Sequence, residues 1–278
     1  MKIEIITKHT ETSNSIIYAF RKDDDLGKAI EKLSTIFGEN IKSIKIDFKA
    51  EKGQVLCFYQ NGTKHYLLGL GEKNQSSVFI SIFRSFFYKH KKELRGEITL
   101  DLTYFDMMGF EVENIANGIY LAGYELGRFK TDDKKQDFFE DTGSALNILV
   151  PEQISTSARA EAERGKQTAE TQIEMMKLGN APANYKFPQT LADWAVESGK
   201  KYGYSVQVFD KIECEKIGLK ALLAVAKGSE HPPRFIVVEY KPTNPKKKVG
   251  LVGKGVTFDT GGISIKTSAN MQDRKSVV

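Results

Sequence analysis

Residues 250–273 read GLVGKGVTFDTGGISIKTSANMQD. The stretch opens as an apolar run of the kind that forms a buried strand, yet it carries Lys254. It then passes Asp259 and the glycine pair Gly261 and Gly262 to reach a second lysine, Lys266. A lysine in such a run must lose its charge or find a partner, because burying a bare ammonium is costly. In open α/β sheets, ligands and metals collect at strand ends, where carboxylates and lysines of this kind stand.

Working outward, the segments before this stretch read as a second α/β unit. Residues 204–209, 234–240 and 248–257 have strand character, 211–217 reads as a short helix, and 221–226 is a further apolar run. The near-continuous apolar character of these strands predicts a sheet covered on both faces. Upstream, residues 157–178 form a long, polar, alanine- and glutamate-rich helical stretch. Its apolar face is too small for one core, so it is expected to link two domains. Asn180-Ala-Pro-Ala-Asn184 follows as a loop, and Pro188 suits the first turn of a helix running through Trp194 to Tyr202.

The first 150 residues read as an alternating α/β unit. Strand-like runs fall at 2–7, 41–48, 55–59, 65–70, 97–101 and 145–150. Helical patterns fall at 24–37, 76–89 and 112–125, the last with Ile115, Ile119 and Ala122 on one face. Gly69-Leu-Gly71 after a strand could approach a phosphate, but two glycines alone are weak evidence for that and a tight turn is the expected reading. The expected organisation is therefore an N-terminal domain at 1–150, a linker helix at 151–178 and a further domain at 179–278.

Composition narrows the class. The 278 residues are 40% hydrophobic and 28% charged, ordinary values for a globular chain. The net charge of +5 arises from 41 basic and 36 acidic residues. They are spread along the chain, with short basic runs at 89–92 and 246–248 that read as solvated faces, so nucleic acid is not an expected partner. Cys57 and Cys214 stand far apart and form no metal-binding pattern, which fits a reduced, cytoplasmic setting. No run reaches the ~18 to 20 apolar residues of a membrane span, and the N-terminus lacks a signal peptide's apolar stretch.

Four chemistries compete for the Lys254–Lys266 segment. A phosphate loop needs glycine five positions before the Gly-Lys pair and Ser or Thr after it; Lys248 and Gly255 occupy those places, so this reading fails. An aspartic protease would pair Asp259-Thr-Gly261 with Asp141-Thr-Gly-Ser144. Asp141 follows a charged lead-in, however, and the chain reads as α/β. A purely structural reading makes the segment a buried strand, a glycine turn and surface lysines. A metal site would use Asp259 as a hard oxygen ligand that can bridge two ions. A neutral Lys254 amine could also ligate, and a charged Lys266 could hold the oxyanion that develops on a peptide carbonyl.

Val252-Gly-Lys-Gly-Val-Thr-Phe-Asp-Thr-Gly-Gly-Ile-Ser-Ile-Lys266, followed by Ser268-Ala-Asn-Met271, resembles the leucyl aminopeptidase family of dinuclear metallopeptidases. The Asn180–Asn184 loop with Pro188 resembles the same family's Asn-x-Pro-x-Asn segment. The resemblance implies an α/β fold in which an N-terminal α/β domain precedes the first part of an α/β metallo-aminopeptidase catalytic domain. It assigns Lys254 and Asp259 as metal ligands, Asp259 bridging two ions of Mn or Zn, and Lys266 as the catalytic lysine. It further implies peptide substrates, release of N-terminal residues such as leucine by a metal-activated water, and assembly as a homo-hexamer.

The family pattern continues past Met271 to an aspartate ligand that, counted from Lys266, would fall at Val277. Asp273 stands four residues too early to take that role. A later Asp-x-Glu-x-Arg segment, with two more ligands, has no counterpart in the 278 residues. The resulting expectation is a C-terminally truncated member with an incomplete, inactive site. The alternative is a non-catalytic fragment or binding module from an interrupted gene.

Overall fold

The computed structural model describes residues 1–10, 13–22, 25–38, 41–72, 77–104, 111–126 and 137–269. The chain divides into two compact units, Met1–Glu174 and Met175–Val278.

The first unit is built on a six-stranded sheet. In chain order its strands are β1 (Lys2–Ile6), β2 (Ser15–Phe20), β3 (Val55–Gln60), β4 (Thr63–Gly69), β5 (Glu97–Asp101) and β6 (Ala145–Leu149). Their spatial order is β1-β6-β5-β2-β4-β3, and every neighbouring pair is parallel except β3–β4. Both faces are covered, which the central strand β2 shows residue by residue. Ile17 and Ala19 enter one apolar cluster, while Tyr18 and Phe20 enter the other. That alternation follows from the two-residue period of a strand.

On one face lie α4 (Val78–His90) and α5 (Glu111–Ala122). Phe79, Phe83, Phe86 and Phe87 of α4 and Ile115 and Ile119 of α5 fill the larger cluster. The helices approach closely at Gly118, where an added Cβ would lie 2.5 Å from the Ile80 carbonyl oxygen. The other face carries α1 (Leu26–Glu31), α2 (Ser34–Phe37) and α3 (Ile41–Asp47), which supply Ile30, Phe37 and Ile44 to the second cluster, with Leu33 joining it from the N-cap of α2.

Two expectations fail in this unit. The run 41–48 yields helix α3 (Ile41–Asp47) rather than a strand, because Ile44 and, just past its end, Phe48 recur at helical spacing and are buried, while Ile46 is left exposed. Strand β2 was not read from the sequence at all. The basic run at 89–92 is also not uniformly solvated. Lys91 is buried, pairs with Glu125 and lies 3.2 Å from Asp137.

Helix α6 (Ser155–Asn180) begins on the first unit. Gly165 presses against α5, where a Cβ would lie 2.3 Å from the Glu113 carbonyl oxygen. Arg164 Nε donates to Glu113 Oε2 at 2.8 Å, and Asn117 Nδ2 donates to Gln172 Oε1 at 2.9 Å.

The second unit contains α7 (Pro188–Tyr202), β7 (Ser205–Phe209), α8 (Lys211–Lys216), α9 (Lys220–Ala226) and β8 (Phe235–Glu239). Strands β7 and β8 pair antiparallel. Gly199 lets α7 approach β7, since a Cβ there would meet Val206 at 2.7 Å. Asp210 and Glu213 form a reciprocal capping box on α8. Lys186, nearly fully buried, donates from Nζ to the Leu178 carbonyl at 3.0 Å and so closes the C-terminal end of α6. The covered sheet expected here is not formed. Residues 248–257 pair with no strand, and Val238 on β8 is half exposed. An apolar run becomes a buried strand only where a partner strand and covering layers exist, and the described residues of this unit supply neither for 248–257.

Candidate functional site

The three predicted residues lie in the 254–266 segment of the second unit. Lys254 is exposed, so the expected buried lysine is not found. Without the strand there is no low-dielectric surround to strip its charge.

Asp259 and Lys266 are brought together by a short turn. Gly261 adopts a φ of +90°, and a Cβ on it would lie 2.4 Å from the Ser264 carbonyl oxygen, so this position requires glycine. Gly262, its neighbour, has open space around it. The Gly261 N–H donates to Asp259 Oδ1 at 2.9 Å, an aspartate capping its own turn. A bridge between Gly261 and Ile265 and a hydrogen bond from the Lys266 N–H to the Thr260 carbonyl (3.0 Å) close the loop.

The result returns the Lys266 side chain onto Asp259. Its Nζ forms an ion pair with Asp259 Oδ2 and lies 3.4 Å from the Asp259 carbonyl oxygen. The Lys266 ammonium, with the Gly261 N–H and the more distant charge of Lys254, holds the Asp259 carboxyl below its ordinary range. Asp259 is therefore ionised at neutral pH, as a metal-binding carboxylate must be.

These residues do not by themselves fit a pair of divalent cations. Each ion needs about four or more ligands. Among the described residues no group of three or more His, Cys, Asp or Glu side chains converges on one point. Asp259 is already engaged on both oxygens, by Lys266 and by Gly261. Positions 270–278, including Val277, lie outside the described residues.

The aspartic-protease reading also finds no support. Asp141 is used locally, accepting from the Gly143 N–H at 2.9 Å and the Ser144 hydroxyl at 3.0 Å. What sequence reasoning missed in the second unit is structural: buried Lys186, which holds the end of α6 and whose only local signal was its place just after the proline-containing loop.

A mostly parallel-sheet α/β unit followed by a segment that joins an aspartate to a lysine through a glycine turn defines an α/β class of protein. Comparison makes it specific. Residues 174–277 match the cytosol aminopeptidase family, catalytic domain. A probable cytosol aminopeptidase from Persephonella marina is 31% identical over 99% of this chain and 58% of its own length. One from Aromatoleum aromaticum is 41% identical over 59% of this chain and 33% of its own. Among solved structures, the bottromycin maturation enzyme BotP in complex with Mn aligns with a TM-score of 0.74 at 25% identity, over 95% of this chain and 52% of that one. A tomato leucine aminopeptidase mutant shares the fold, with a TM-score of 0.77 at 24% identity, over 94% of this chain and 55% of that one.

The chain belongs to the cytosol aminopeptidase family. It spans about half the length of the curated relatives it matches. Among the described residues no helix is long and apolar enough to cross a membrane.

Proposed function

We propose that this chain carries the N-terminal domain and the first site residues of a metal-dependent aminopeptidase acting on peptides in the cytoplasm. The observation that carries the reading is the turn that places Lys266 on an ionised Asp259 inside the matched segment. In the assembled site, Lys254 and Asp259 would serve as ligands to divalent ions, Mn or Zn. Those ions would supply the Lewis acidity that activates water and polarises a peptide carbonyl. Lys266, released from Asp259 when the carboxylate turns to a metal, would present its charge to the developing oxyanion.

Two ligands cannot hold two cations, so the 278 residues alone are proposed not to hydrolyse peptides. A homo-hexamer remains the expected assembly of the complete site. The test uses two proteins: the 278-residue chain, and a chimera in which a relative supplies everything after residue 269. Leucine p-nitroanilide hydrolysis is measured with added Mn²⁺ or Zn²⁺. The chimera should be active and lose activity by at least ~100-fold with Asp259→Asn or Lys266→Ala, whereas the 278 residues alone should be silent. Metal-dependent hydrolysis by the 278-residue chain, or a chimera indifferent to Asp259→Asn, would overturn the proposal.

A further inference from the structure

The first unit contains a cleft far in sequence from the 254–266 segment, and its chemistry is different. It lies between α4 and the turn at residues 50–54, beside the C-terminal end of β4, and encloses about 360 Å³. That volume suits a small molecule, and the C-terminal ends of parallel strands are where α/β sheets bind ligands. Its floor is apolar: Val55 and Leu68, which face each other across the β3–β4 ladder, together with Ile82 and Phe86 of α4.

The polar rim is one-sided in charge. Ser81, Ser85 and Lys89 follow one another at four-residue spacing along α4, His90 closes that end, and Lys52 stands opposite on the turn. No carboxylate is among the lining residues. Nδ1 of His90 faces Glu93 Oε2 at 3.6 Å, an oxygen also held by Lys64 at 2.8 Å, while Nε2 is buried without a hydrogen bond. A buried ring nitrogen left unsatisfied in this way marks a place for a missing partner. The negative end of the α4 dipole is offset by Lys89 and His90 in the last turn.

The turn that presents Lys52 is fixed. The Gly53 N–H donates to the Gly69 carbonyl at 2.8 Å, the Gly69 N–H to the Gln54 carbonyl at 2.8 Å, and the Gly71 N–H to the Ala50 carbonyl at 2.9 Å. The close approach requires the Gly69-Leu-Gly71 segment. A Cβ on Gly69 would lie 2.2 Å from the Glu51 carbonyl oxygen, and one on Gly71 would lie 3.0 Å from the Lys52 Cβ. These glycines serve the turn and do not cradle a ligand with their own backbone. Their effect is to hold an ammonium over an apolar floor.

We propose that this cleft binds a small organic phosphate, with its phosphoryl group on the lysine and serine rim and its organic body on the apolar floor. Two ammonium groups, the Ser85 hydroxyl and an imidazole offer more donors than a single carboxylate can accept, and they match the three terminal oxygens of a phosphate monoester, whereas the Ser81 hydroxyl is spent on the Val78 carbonyl at 2.8 Å. The site is independent of the aminopeptidase reading, since none of its residues lies in the matched segment.

The test is calorimetric titration of the full 278-residue chain with phenyl phosphate, phenol and inorganic phosphate. Phenyl phosphate should bind saturably at one site, phenol should not bind, and inorganic phosphate should bind more weakly than phenyl phosphate. Lys52 and Lys89 are exposed, so the double variant Lys52→Gln/Lys89→Gln should fold normally and bind phenyl phosphate about tenfold more weakly or worse. Ser85→Phe, which fills the cleft without changing charge, should abolish binding while circular dichroism stays unchanged. Absence of saturable phenyl phosphate binding overturns the proposal. So does phenol or inorganic phosphate binding as tightly as phenyl phosphate, or affinity unaltered in either folded variant.

Discussion

Lys266 and Asp259, seven residues apart in sequence, are joined by an ion pair that closes the Gly261 turn. The pair is part exposed, so its worth lies in positioning more than in stability. Its pH behaviour has a definite sign. The folded Asp259 carboxyl is held below the value it has in an unfolded chain, so the contact is fully formed above about pH 4 and is lost as pH falls through the depressed value. Protection of the Gly261 and Lys266 amides, taken relative to their intrinsic exchange rates at each pH, should fall on acidification and in Asp259→Asn, and the variant should leave the melting of the first unit unchanged at neutral pH. Unaltered exchange in Asp259→Asn would show that the backbone alone holds the turn.

Docking of α6 on α5 depends on Gly165, where a side chain would drive into the Glu113 carbonyl. Gly165→Val should destabilise the first unit by about 1–3 kcal/mol through overpacking. A urea midpoint equal to the natural chain's would mean that α6 does not pack there in solution.

Phe83 is fully buried among Ile82, Phe86, Phe87 and the sheet. Phe83→Ala should therefore cost about 3–5 kcal/mol, in line with other large-to-small changes at closed sites. Equilibrium urea unfolding of the chain provides the measurement, and a cost below about 1 kcal/mol would contradict the packing.

Much of the first unit was legible because its elements obey one period each. Helix α5 shows Ile115, Ile119 and Ala122 on one face, and β5 is matched residue for residue at Glu97–Asp101. The segment 41–48 misled because four apolar residues in eight satisfy two periods at once. Only the tertiary contacts of Ile44 and Phe48 decide for helix. Strand β2 carried a continuous apolar signal, Ile16 to Phe20, but no polar alternation, since both its faces are buried. At the site, the glycine turn and the two residues it joins were legible. The exposure of Lys254 was not, because it depends on a strand partner that local sequence cannot supply.

The pair His9–Asp101 gives the first unit a pH dependence of its own. His9 Nε2 lies 3.0 Å from Asp101 Oδ2, while Oδ1 accepts from the N–H and hydroxyl of Thr103. The hydrogen bond to Asp101 raises the His9 pKa against the opposing effect of partial burial. The stabilisation is thus complete below the unfolded value of about 6.5 and is lost as pH rises through the folded value. His65 and His90 act in the opposite sense, because burial lowers both and favours their neutral forms. Their contribution falls as pH drops below about 6.5, so the His9 effect must be isolated by difference. Stability of the natural chain minus that of His9→Gln should decline between about pH 6.5 and 8. A difference that is flat, or that rises, would exclude the ion pair.

Leu251, Val252, Ile263 and Ile265 are almost wholly exposed, Leu251 at 94% and Val252 at 102%. In a packed strand, replacing Leu251 would cost about 2–5 kcal/mol through lost burial and a cavity. Here there is no burial to lose, so the double variant Leu251→Ser/Val252→Ser should leave the urea midpoint unchanged. Exposed apolar side chains of this kind promote association. The variant should accordingly bind less of a hydrophobic dye and show less concentration-dependent self-association by light scattering. A loss of stability above about 1 kcal/mol would instead place residues 248–257 in a packed strand in solution. It would also restore the burial around Lys254 that a neutral, metal-binding amine requires.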